Sequence, residues 1–214
     1  MRQRLSLAFL VSANLLPVAG VLFLDWDVAA IIVLYWSENL VIGFYNILKM
    51  LVAGGAGAIP LSLFFLVHYG GFCAVHGVFI TSLLLDSPNN PLEQTSWPFV
   101  LIFVELLVNV TVQILSAAPS AWLLGFVGLL ISHGYSFAAN FLLGEERQNV
   151  QARALMSVPY KRIILLHIAI IVGGMAVISL GQPLILLIVL VLLKIALDIA
   201  LHLRERKAAK TSSI

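Results

Sequence analysis

The sequence predicts an all-α fold, a polytopic transmembrane helical bundle of six or seven spans. Three observations carry that expectation. Hydrophobic residues fill 61% of the 214 positions and charged ones only 10%, with a mean hydropathy of +1.06. A soluble chain carries about 25% charged residues, so this composition cannot cover a water-facing surface. Seven apolar runs approach or exceed the length of about 20 residues that a helix needs to cross a bilayer. The runs are apolar throughout, whereas a transmembrane strand would alternate every second residue.

The runs lie at approximately 4–24, 27–53, 60–86, 97–117, 119–143, 159–180 and 182–203. The first has the basic n-region and apolar core of a signal peptide but lacks a clean small-x-small cleavage site, so it reads as a span. Asp25-Trp26-Asp27 ends it, and Gly54–Pro60 turns the second run into the third. Asp86–Pro91 opens a polar loop, Pro119 divides two helices, and Gly181-Gln182-Pro183 closes the last hairpin. Trp26, Trp97 and Trp122 stand at span ends, where amphipathic rings settle. No repeat or low-complexity tract interrupts the pattern, so residues 1–214 read as one integral membrane domain.

Seven alternating spans would put Arg2, Arg4 and Lys49 on one side. Arg147, Arg153, Lys161, Arg162, Arg204, Arg206, Lys207 and Lys210 would then lie on the other. The positive-inside rule makes the C-terminus cytoplasmic, and the basic amino-terminal end pulls against the count. A net charge of +2 gives no case for nucleic acid, and the single cysteine, Cys73, excludes an internal disulfide or a cysteine-rich cluster. The lipid bilayer is the partner that the composition demands.

Function has to come from the polar residues inside these runs. Tyr35, Glu38, Asn39, Ile42, Tyr45, Asn46 and Lys49 recur at helical spacing in the second run. His68, Phe72 and His76 step by four in the third, as do Glu105, Asn109 and Gln113 in the fourth. His133, Ser136 and Asn140 share a face of the fifth, His167 stands in the sixth, and Lys194, Asp198 and His202 step by four in the seventh. Lipid cannot solvate such stripes, so they should face inward. Counted from the turns on the N-terminal side, Glu38, His76, His133, His167 and Asp198 each lie 13 to 16 residues deep.

Imidazole with carboxylate is a ligand set for zinc or non-haem iron, and helical bundles build metal sites from facing helices. His76, His133 and Asp198 are expected to converge, with Glu38, His68, His167 and His202 beside or behind them. Zinc or non-haem iron fits this set better than haem, and a lipid or small apolar substrate suits its depth. A proton- or ion-coupled transporter uses the same groups, and a structural membrane subunit uses them as interhelical glue. Lys194 and Asp198 can neutralise each other one turn apart, Lys49 can snorkel, and Cys73 fits a core-filling role. No hydrolase, metalloprotease or phosphate-loop motif is present.

Several strings resemble those of an uncharacterised bacterial family of multi-pass membrane proteins. They are Tyr35-Trp36-Ser37-Glu38-Asn39 continuing to Asn46 and Lys49, His68-Tyr69-Gly70 with His76-Gly77, and Ser132–Phe137 with Asn140, Phe141 and Gly144-Glu145-Glu146. Pro159–Arg162 with His167, then Lys194, Asp198 and His202, complete the resemblance. It implies residence in a bacterial inner membrane and no particular activity. Glu105 falls outside these motifs.

Overall fold

The computed structural model describes residues 15, 17–85, 91–93, 95–117, 121–144 and 150–211. From Val28 onward the α-helices among the described residues are, in chain order, α1 (Val28–Gly54), α2 (Ile59–Leu84), α3 (Ile102–Ala117), α4 (Ala121–Ser136), α5 (Ala152–Ser157), α6 (Tyr160–Leu180) and α7 (Pro183–Thr211). No strand occurs among the described residues. Among the described residues, three helical stretches are long and apolar enough to cross a membrane: Val28–Leu84, which contains α1 and α2, Phe99–Ala117 and Trp122–Leu142.

Local chemistry accounts for the boundaries. Gly55 adopts φ 55° and opens a 3-10 turn, Gly55–Ala58, the left-handed conformation that glycine tolerates at a helix end. Pro60 then sits in the first turn of α2, where its missing N–H costs nothing. Gly181, at φ 66°, likewise ends α6 two residues before α7 begins. Past Ser136, α4 widens into a π-helical turn, Phe137–Leu142.

The chain divides into two compact units: Ala29–Ile164, and Met1–Val28 with Leu165–Ile214. In the smaller unit a methyl group on Gly173 would lie 2.9 Å from the Leu186 Cα, so glycine lets α6 and α7 pack backbone to backbone. The larger unit has a core of Met50, Phe65, Tyr69, Cys73, Phe141, Leu155 and Ile163. Outside it, Leu124, Ile131 and Leu143 are 81%, 67% and 86% exposed, a surface suited to lipid and costly in water.

Contacts fix the helix directions in the larger unit. The Trp36 indole N–H donates to the Cys73 carbonyl at 2.8 Å, and the Tyr69 hydroxyl donates to the Asn39 carbonyl at 3.2 Å. Residue numbers therefore run oppositely along α1 and α2. α4 runs parallel to α1: Gly125 faces Leu34, Gly134 faces the Tyr45 ring, and Lys49 lies 5.0 Å from the centre of the Phe141 ring. Along α2 and α3, Gly71 faces Phe103 and Gly77 faces Val110. These consecutive helices are thus parallel, where an up-and-down bundle would make them antiparallel.

Candidate functional site

Some polar residues of α1 hold helices together, and others bond within α1 itself. Ser37 Oγ donates to the Val33 carbonyl at 2.8 Å and accepts the Trp122 indole N–H at 2.9 Å, which ties α1 to α4. Tyr45 donates to the Leu130 carbonyl at 3.0 Å, and the missing side chain of Gly134 leaves room for its ring. Asn39 bonds back to the Tyr35 carbonyl, and Asn46 to the Met50 sulfur at 3.6 Å. Gly77 admits Trp36 and Val110, and Gly43 admits the Tyr69 ring, which a methyl group would approach to 2.8 Å. The aromatic and glycine positions of the motifs thus pair across helices. Glycines are common at such interfaces because they let neighbouring groups approach closely.

The seven candidate ligands fare differently. His76 is buried and Glu38 half-buried, both in the larger unit; the α1–α2 contacts put them at similar depth. His68 is exposed among aromatic rings, with Nδ1 2.8 Å from the Tyr160 hydroxyl and its ring stacked on Phe64 at 5.3 Å. His133 directs Nδ1 to the Leu129 carbonyl at 3.0 Å. A carbonyl only accepts, so Nδ1 carries a proton here, which leaves Nε2 for any other partner. Because α4 runs parallel to α1, His133 lies opposite residues 42–44 of α1, about 6–9 Å along the axis from Glu38. The expected single level came from counting α4 in the opposite direction. His167 is exposed on α6, and the side chains of Asp198 and His202 lie outside the described residues.

Among the described residues, no group of three or more His, Cys, Asp or Glu side chains lies close enough to hold a metal ion. Glu105 has a different use. Its Oε2 accepts the backbone N–H groups of Ser96 and Trp97, each at 2.7 Å, and Oε1 accepts the Ser96 hydroxyl at 3.2 Å. The carboxylate clasps the extended segment before α3. Only its position, nine residues beyond a serine and inside the apolar run 97–117, hinted at this in the sequence.

Sequence reading missed a cavity of about 360 Å³ between α1, α2 and α3. Leu40, Gly43, Phe44 and Ile47 of α1 form one wall, and Phe65, Leu66, Tyr69, Gly70 and Cys73 of α2 another. Leu107, Val108, Thr111 and Val112 of α3 close it. The Tyr69 and Thr111 hydroxyls both donate to backbone carbonyls, so the walls offer apolar surface. The i, i+3, i+4, i+7 spacing of the α1 wall was visible, but it looked like ordinary packing.

Apolar helices around an apolar cavity define a class, a helical protein compatible with residence in a bilayer. The chain belongs to a family of unknown function, DUF6498, whose model matches residues 1–214. No curated protein and no solved structure matches it.

Proposed function

We propose that this chain is a multi-pass protein of the bacterial inner membrane, with a cytoplasmic C-terminus, that takes a lipid or small apolar molecule into the cavity between α1, α2 and α3. The cavity carries this reading. Its volume of about 360 Å³ falls within the range of roughly 300–1,000 Å³ common for ligand pockets. The α2 wall extends from Phe65 to Cys73, about 12 Å at 1.5 Å per residue. That gives a mean cross-section of roughly 30 Å², suited to an extended hydrocarbon chain. Phe44, Val108 and Val112 are each more than half exposed, which leaves the mouth open towards surrounding lipid.

The test uses a fatty acid with a terminal diazirine, cross-linked in native membranes and mapped by peptide mass spectrometry. Adducts should concentrate on residues 40–47 and 107–112 and disappear in Val108→Phe/Val112→Phe, which fills the mouth. Equal labelling of every lipid-facing helix, unchanged in that variant, would refute the assignment.

His133 favours a second reading, in which imidazole and carboxylate groups bind zinc or non-haem iron. Metal-bound histidines characteristically donate the other ring N–H to a carbonyl or carboxylate, as His133 does to Leu129. Further donors would come from outside the described side chains. Elemental analysis of protein purified without a histidine tag decides this: stoichiometric metal lost in His133→Ala supports it, and metal-free wild-type protein ends it.

A further inference from the structure

The direction of α3 changes the membrane topology. Phe103 in its first turn packs against Gly71, Leu107 in its second turn reaches Gly70, and Val110 packs against Gly77. Gly70 and Gly71 stand near the midpoint of α2, which runs from Ile59 to Leu84. The start of α3 therefore lies about 20 Å from the end of α2, measured along the α2 axis at the helical rise. α3 then runs back towards that end. The direction of α4 agrees independently, since only three residues of sequence separate it from α3 and it runs parallel to α1.

We infer that residues 95–117 belong to a re-entrant hairpin that lines a water-filled vestibule open to the non-cytoplasmic face. The inference rests on the membrane reading above and not on a ligand in the apolar cavity. Non-helical backbone at membrane depth is tolerated only where protein buries it or water reaches it. Residues 95–98 are non-helical and mostly exposed, Trp97 by 48%, so the described residues do not bury them. Glu105 satisfies two N–H groups of this elbow. Phe99, the next residue, takes φ 53° and is 92% exposed; a bulky residue in that region marks strain, which gathers at functional segments.

Charge provides a separate argument. If α3 returns to the face where α2 ends, the chain crosses the membrane six times and both termini share a side. Every Lys and Arg of the sequence except Lys194 then falls on that side, while Asp25, Asp27, Asp86 and Glu93 fall on the other. This satisfies the positive-inside rule, including the basic amino-terminal end that opposed a seven-span count.

Cysteine labelling tests the hairpin. In a Cys73→Ser background, with Cys73→Ala as a second background if folding fails, single cysteines replace Ala56, Glu93, Ser96 and Ser116. A membrane-impermeant maleimide is applied to intact and to permeabilised cells. Glu93→Cys, Ser96→Cys and Ser116→Cys should label in intact cells, and Ala56→Cys only after permeabilisation. Labelling of Glu93→Cys and Ser116→Cys from opposite faces would make α3 an ordinary span and overturn the hairpin. Protection of Ser96→Cys while its two neighbours label would overturn the vestibule. If all four label alike with and without permeabilisation, the membrane reading itself fails.

Discussion

Gly77 illustrates how single residues set this packing. It lies where a side chain would overlap both Val110 and the Trp36 ring, so Gly77→Val overpacks two interfaces at once. Overpacking typically costs about 1–3 kcal/mol, and the melting temperature in detergent should fall accordingly. Phe99 offers the opposite case. Its left-handed backbone costs an L-residue about 1–2 kcal/mol, so Phe99→Gly should raise stability by roughly 1 kcal/mol after the entropic cost of glycine. An unchanged or lower melting temperature would remove strain from the description of the elbow. Tyr160→Phe deletes the partner of His68 and should cost only about 0.6 kcal/mol, the usual value for interhelical hydrogen bonds in membranes. A loss several times larger would show that this pair does more than join α2 to α6.

At the scale of elements, helix positions were legible because apolar runs and glycine–proline turns are local signals. The expected run at 27–53 is α1, that at 60–86 is α2, and that at 159–180 is α6, each displaced at its ends by no more than two residues. The direction of α3 was not legible. Its sequence is as apolar as that of a crossing helix, and only the contacts of Gly71 and Gly77 reveal that it starts halfway along α2. The depth of His133 was misjudged for the same reason. The histidines stood out as chemical types, yet nothing local indicates that His68 meets Tyr160 or that His133 turns to its own helix. The cavity was hidden because its walls use the residues that would also fill a core. Filling it provides an element-scale prediction: Val108→Phe should raise the melting temperature of delipidated protein, since it adds apolar contact where no ligand remains. In lipid-rich membranes the same variant should gain less, because an acyl chain already occupies the space in the parent protein. Equal gains under both conditions would show that the cavity takes no lipid.

The whole molecule combines a larger unit of packed apolar helices with a smaller one formed by its two sequence ends. Among its interhelical bonds, those donated by Trp36, Tyr45 and Tyr69 to backbone carbonyls and by Trp122 to the Ser37 hydroxyl account for much of the motif content without invoking catalysis. On the membrane reading proposed above, what the chain does depends first on how many times it crosses. A reporter that fluoresces only in the cytoplasm and one active only in the periplasm, fused in turn to each end of the full chain, measure this directly. Six crossings with a re-entrant hairpin place both ends in the cytoplasm, so the cytoplasmic reporter should be active at either terminus and the periplasmic one at neither. Reporters active on opposite faces would establish an odd number of crossings and contradict the account.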